Sequence, residues 1–154
     1  MIKKEEVIEA QNKWGQAVIR IGKLFMEKKD YQAEARKIVN ELYGYNDEHT
    51  VLFKPTKASE QAFRFTTESA VSYLAGGNKN FPEDAGFALN PWVNVHFDNK
   101  GFILKEDTAL SMGYYYFEDL AGNETKVEYT FGYYRAADQR LRIYLQHSSF
   151  PFQP

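Results

Sequence analysis

The 154-residue sequence predicts an α+β fold, with N-terminal helices packed on one face of a strongly curved, mainly antiparallel sheet. Three observations carry that expectation. Helical spacing of apolar residues occurs in the first half of the chain, and alternation of period two dominates from Trp92 onward. The later segments are joined by short turn sequences instead of the helical crossovers that a parallel sheet needs.

The first helix is read over about Glu6 to Met26, where Val7, Ala10, Trp14, Val18, Ile21 and Phe25 share one face of a 3.6-residue repeat. Asp30 stands where an N-cap carboxylate would accept the free backbone N–H groups of a second helix. That helix has Ala35, Ile38, Val39 and Leu42 as its apolar face and Gly44 as its stop. Thr50 to Lys54 is β-branched and aromatic and ends at Pro55, so it reads as a strand, and Ala62 to Thr66 alternates around Arg64. Thr66 or Thr67 can cap a short helix reaching Leu74, closed by Gly76 and Gly77. Trp92 to Asp98, Ala109 to Glu118, Lys126 to Arg135 and Arg140 to Ser148 read as strands, with a short piece at Phe102 to Leu104. The connections Asn99-Lys100-Gly101, Ala121-Gly122-Asn123 and Ala136-Ala137-Asp138-Gln139 have the residues and lengths of hairpin turns. No repeat, linker or low-complexity tract interrupts the chain, and its length suits one domain over residues 1–154.

Composition removes several chemistries. The chain has no cysteine, which excludes a disulfide framework, a thiolate metal site and a cysteine nucleophile. A net charge of -2, with Lys and Arg scattered among Asp and Glu, lacks the basic stripe of a nucleic-acid binder. The N-terminal run from Met1 to Glu6 leads into an amphipathic pattern, without the apolar core of a signal peptide or an apolar span, so a cytoplasmic chain without membrane contact is expected. No phosphate-cradling glycine loop, G-x-S-x-G elbow or H-E-x-x-H is present.

Alternation assigns strand faces, because successive side chains point to opposite sides. In the last strand Leu141, Ile143 and Leu145 share the face that must be buried, and continuing the count places His147 and Ser149 inside, with Gln146 and Ser148 outside. A histidine and a hydroxyl at the end of an apolar stripe are either core groups satisfied by neighbours or the polar floor of a pocket. The same count puts Val93, Val95 and Phe97 inside and His96 outside, beside Asn94 and Asp98, while His49 falls in a loop. One interior histidine cannot supply the three protein ligands of a catalytic zinc unless carboxylates complete the set. Around Glu128, the residues Val127, Tyr129, Phe131 and Tyr133 form one face and Glu128, Thr130, Gly132 and Tyr134 the other, and either could be inner.

Several segments taken in order resemble the iota class of carbonic anhydrases, from about Trp14 to Phe152. They are V-L-F-K-P-T at Val51 to Thr56, S-Y-L at Ser72 to Leu74, G-F-A-L-N-P-W at Gly86 to Trp92, M-G-Y-Y at Met112 to Tyr115, V-E-Y-T-F-G-Y at Val127 to Tyr133, and H-S-S-F-P at His147 to Pro151. The resemblance implies a cone-shaped open barrel of the SnoaL and ketosteroid isomerase type, shared with the association domain of calmodulin-dependent kinase. It also implies reversible hydration of carbon dioxide to bicarbonate, in some members without metal, by a threonine, a tyrosine, a histidine and a serine inside the cone. Carried onto this chain these are Thr56, His147, Ser149 and Tyr73, with Tyr115 or Tyr129 as alternatives to Tyr73. Two departures stand out. The family usually has two histidines before the serines where this chain has Gln146 and His147, and alternation puts Gln146 on the far side of the strand, away from the pocket. Leu74 stands where many relatives carry an aromatic residue.

The expected chemistry is therefore metal-free, with no cofactor, although zinc or manganese stays open. Imidazoles titrate near neutral pH, so His147 would orient or deprotonate the attacking water while Thr56, Tyr73 and Ser149 hydrogen-bond water and carbonate oxygens. A homodimer joined through the outer sheet face at Tyr134 and Tyr144 is expected as well. Two other readings compete. One is a non-enzymatic ligand-binding or association domain of the same fold. The other is an isomerase or dehydratase, which would need an inward carboxylate facing the histidine.

Overall fold

The helices form where the apolar spacing places them. In the computed structural model of residues 1–154, α1 spans Lys4–Met26, α2 Tyr31–Leu42 and α3 Thr67–Ala75. The strands are β1 Leu52–Lys54, β2 Trp92–Leu104, β3 Thr108–Asp119, β4 Glu124–Arg135 and β5 Leu141–Ser149. No helix is long and apolar enough to cross a membrane.

Helix α1 buries Val7, Gln11, Trp14, Val18 and Ile21 against the sheet. Asp30 caps α2, its Oδ1 accepting from the Ala33 N–H at 3.0 Å. Gly44 does not end α2 as a left-handed cap. It opens a 3-10 turn and lies so close to Tyr134 that a Cβ would sit 2.4 Å from the phenol oxygen. Of the two candidate caps of α3, Thr66 is the one used, and it exchanges bonds with Ser69 at 3.1 and 3.2 Å. From Ser69 to Ala75 this helix is buried on every side, between α2 and a 3-10 turn at Phe87–Leu89.

The sheet order is β1-β5-β4-β3-β2, with β1 parallel to β5 and every other pair antiparallel. The two edge strands do not pair, so the sheet curls around the helices without closing. On the inner face, the Trp14 ring lies within 5.4 to 6.3 Å of the Phe97, Tyr115, Phe117 and Phe131 rings. Val127, Tyr129, Phe131 and Tyr133 are the inner set of β4, and Glu128 lies on the outer side. The segment around Arg64 forms no strand. It makes one backbone bond, from the Arg64 N–H to the Phe53 carbonyl at 2.7 Å.

Three bulges correct expectations drawn from unbroken alternation. Each adds a residue that nothing opposes and so reverses the phase of the count beyond it. Trp92 pairs with Asp119 and Asn94 with Glu118, which turns Val93 outward at 47% exposure while Val95 and Phe97 stay inside. Asn99-Lys100-Gly101 is not a hairpin turn but a bulge within one continuous β2. Gly113 opposite makes room for it, since a Cβ there would meet the Asp98 carbonyl oxygen at 2.2 Å. The third bulge is in β5, where Gly132 faces Leu145 but Tyr133 faces Ile143, leaving Tyr144 unopposed.

Tyr134 is likewise not an exposed outer residue. Its hydroxyl bonds to Asp47, and the His49 ring covers it at 3.9 Å between centroids. The His49 loop thus hides the surface on which pairing through Tyr134 was expected.

Candidate active site

The bulge at Tyr144 decides which side chains reach the interior. Ile143, Gln146 and Ser148 are each no more than 2% exposed, whereas His147 is exposed and Ser149 half-exposed on the outer face. The inner and outer assignments of Gln146 to Ser149 are therefore the reverse of those counted from Leu141. His147 and Ser149 line a shallow outer cleft with Glu128, Thr130 and Lys100. Gln146, expected to lie behind the strand, is in the pocket.

Parallel pairing of β1 with β5 brings the K-P-T segment to the same place. Phe53 stands beside Gln146, Lys54 beside His147, and the Lys54 ammonium donates to the Ser148 carbonyl at 3.1 Å. Beyond β1 the chain turns inward, so that Thr56 lines one small cavity with Tyr73, Tyr115, Gln146 and Ser148. Its volume of about 10 Å³ is room for a single water. Apolar walls come from Trp14, Phe53, Pro55, Leu74 and Phe87. Thr56 and Tyr73, two of the four residues carried over from the resemblance, thus meet each other here, in company with Gln146 and Ser148.

Tyr73 and Phe87 also line a larger cavity of about 510 Å³ that opens outward past Lys57 and Asn90. Their rings are stacked, 5.6 Å between centroids and 15° apart, and form a partition between the two spaces.

Hydrogen bonds hold the cavity's polar groups. The Lys57 N–H donates to the Tyr73 hydroxyl at 3.1 Å, and Thr56 lines the same cavity beside it. Burial pushes the Tyr73 phenol up, with the Lys57 bond and the Thr56 hydroxyl opposing it. Tyr115 hydrogen-bonds Ser148, and Gln146 Nε2 donates to the Tyr115 hydroxyl at 3.2 Å. Burial pushes Tyr115 up to about 12, with the Ser148 and Gln146 bonds opposing it. The cavity thus holds neutral hydroxyls and one amide at ordinary pH. No imidazole or carboxylate lines it, and no cluster of three or more His, Cys, Asp or Glu side chains suited to a metal ion occurs.

The loop carrying Thr56 is tied down by Arg64, which is fully buried. Its guanidinium makes two bonds to Asp84, at 2.7 and 2.8 Å, and donates to the Gln61 and Ser69 carbonyls. Asp84 also accepts from the Ser72 hydroxyl at 2.6 Å, one residue before Tyr73. Glu83 accepts from the backbone N–H groups of Ser59 and Gln61, each at 2.8 Å, and these bonds hold its carboxyl below the usual range. Nothing in local alternation distinguished Arg64 and Asp84. Their partnership spans 20 residues and exists only once the loop is folded.

The fold is an α+β sheet curled around its helices, and beneath α1 it encloses a neutral, hydroxyl-lined pocket. Residues 5–150 match the family model of metal-independent carbonic anhydrases, and the chain belongs to that family. It is 37% identical, over 99% of its length, to a metal-independent carbonic anhydrase from a Nostoc species, covering 75% of that protein. Its structure is similar to the crystal structure of a cyanobacterial iota-carbonic anhydrase complexed with bicarbonate. There the TM-score is 0.95 at 36% identity, over 99% of this chain and 94% of the other. A candidate calcium/calmodulin-dependent kinase II association domain from Xanthomonas campestris has the same fold, with a TM-score of 0.70 at 19% identity over 100% of this chain and 91% of that one. The family and the fold expected from the ordered motifs are those found.

Proposed function

We propose that the chain catalyses reversible hydration of carbon dioxide to bicarbonate at the partition formed by Tyr73 and Phe87, with the attacking water in the inner cavity and carbon dioxide entering from the larger one. The observation that supports this best is the meeting of Thr56 and Tyr73 with Ser148 in one buried, apolar-walled pocket. Carbon dioxide is apolar and needs no charged clamp, so the aromatic and proline walls suit it. A water held by Thr56 attacks the carbon, one C–O π bond opens, and the electron pair moves to oxygen. Donors from Ser148 and Tyr73 stabilise that developing charge without reorganising. The water's proton leaves through the outer cavity to solvent, since no side chain of the inner cavity can hold it at neutral pH. In this reading Gln146 and Ser148 take the places assigned by alternation to His147 and Ser149.

The outer sheet face supports a homodimer. Leu52, Leu145, Gly132, Leu110 and Ile103 stand in register across all five strands, and Leu52, Leu110 and Ile103 are exposed. A second copy would cover this row.

Stopped-flow hydration of carbon dioxide by protein treated with chelator tests the activity. A rate above buffer that falls by about 10² to 10³ in Ser148→Ala, yet stays measurable above buffer, supports it. A wild-type rate equal to buffer, with or without added zinc or manganese, overturns it.

A further inference from the structure

We propose that Trp14 and Tyr43 are positioning residues that fix the direction of a buried hydrogen-bond chain, so that Ser148 meets the bound ligand as a hydrogen-bond donor. The proposal rests on the reading of this cavity as the carbon dioxide site.

The chain runs from Trp14 through Tyr43, Gln146 and Tyr115 to Ser148, and all five residues are at most 3% exposed. Its sense follows from which atoms can donate. The Trp14 indole N–H has no acceptor capacity, and it donates to the Tyr43 oxygen at 2.9 Å. Tyr43 must then send its own proton onward, and the atom beside it is Gln146 Oε1, which only accepts. That turns the amide nitrogen toward Tyr115, to which it donates at 3.2 Å. The Tyr115 proton has Ser148 Oγ as the one acceptor within reach, and in a dry site it goes there, so the serine oxygen accepts. The serine hydroxyl accepts from Tyr115 and makes no other bond, so its proton is left for the cavity.

Reversal is blocked at the first link. A flipped Gln146 amide would aim two donors, indole and amide, at the Tyr43 oxygen and leave the phenol proton without an acceptor in a dry site. The ring of Trp14 also stacks on Tyr115 at 5.4 Å, so both ends of the chain share one rigid body. Fixed in this sense, the pocket presents a donor where negative charge develops on oxygen, and it prefers ligands that offer lone pairs over ligands that offer hydrogens.

A double-mutant cycle in the full chain tests the proposal. Tyr43→Phe keeps the ring and removes the link, and it is expected to lower kcat about tenfold while KM stays within twofold. In a Ser148→Ala background the same change should alter kcat less than twofold. An equal factor in both backgrounds would mean that Tyr43 acts through packing, and would overturn the chain. A second readout does not depend on turnover. Of the two indole N–H signals in a ¹⁵N–¹H spectrum, that of Trp14, identified by its loss in Trp14→Phe, should shift on saturation with bicarbonate and stay still in Ser148→Ala. A Trp14 signal unmoved by bicarbonate in the wild type overturns the proposal. A shifted signal in a protein that hydrates no carbon dioxide retains the chain and removes the proposed activity.

Discussion

Tyr133 pairs with Ile143, although its neighbour Gly132 pairs with Leu145, and this single offset of register turns Gln146 and Ser148 into the cavity. The two serines of the H-S-S-F-P segment are therefore unequal. Ser148→Ala should lower kcat/KM for hydration by about 10² to 10³, the usual cost of one oxyanion donor, and Ser149→Ala should leave it within about twofold. The companion pair behaves likewise, with Gln146→Ala impairing hydration and His147→Ala near neutral. Stopped-flow assays of the four variants, each with a melting curve, check this ordering. The reverse ordering would move the reaction to the outer cleft lined by His147 and Ser149.

The pH profile offers an independent check. Burial raises Tyr73 and takes Tyr115 up to about 12, so both keep their protons throughout the physiological range. With no imidazole or carboxylate lining the inner cavity, kcat/KM in the hydration direction should be flat from about pH 6 to 9. A sigmoidal rise centred near the usual imidazole range would show that a histidine takes the water's proton.

How far the sequence could be read depended on whether alternation stayed unbroken. Trp14, Val18 and Ile21 were legible as a buried helix face because α1 runs as unbroken α-helix, with no π-bulge to slip its phase. Val127 to Tyr133 was legible as one face for the same reason, since β4 has no extra residue before Tyr133. Val93, Lys100 and Tyr144 each interrupt a ladder, and nothing in their residue types marks a bulge. Every residue after Tyr144 was accordingly assigned to the wrong face. Thr56 and Tyr73 were legible through the ordered motifs alone. Arg64, Asp84 and Tyr43 act through partners far away in sequence, which no local pattern encodes.

The Arg64–Asp84 pair carries the next prediction. Both side chains are fully buried, and removing Asp84 leaves Arg64 with only the more distant Glu83 carboxylate at 3.7 Å, a loss at the lower end of about 3 to 5 kcal/mol. Asp84→Ala should lower the stability by that amount in urea unfolding. It should also impair hydration, because the loop carrying Thr56 loses its anchor. Replacing both residues at once, Arg64→Met with Asp84→Leu, should recover most of the stability. A single variant within about 1 kcal/mol of wild type would show that the pair is dispensable.

The last prediction concerns acid. Arg135 makes two bonds to Glu6, at 2.9 and 3.1 Å, and ties the start of α1 to the end of β4. Those bonds, helped by the Lys3 N–H at 2.8 Å, lower the Glu6 carboxyl from about 4.5 to about 2. A carboxyl held down in the folded state binds fewer protons there than in the unfolded chain. Its stabilisation is therefore complete above about pH 4.5 and is lost as the pH falls toward 2. Glu6 is 34% exposed and solvent screens the pair, so the effect is about 1 kcal/mol or less. Unfolding of wild type and Glu6→Gln by urea at steps between pH 2 and 6 should show a gap at pH 6 that closes by pH 2. A gap that persisted at pH 2 would assign the difference to packing of the side chain and not to its charge.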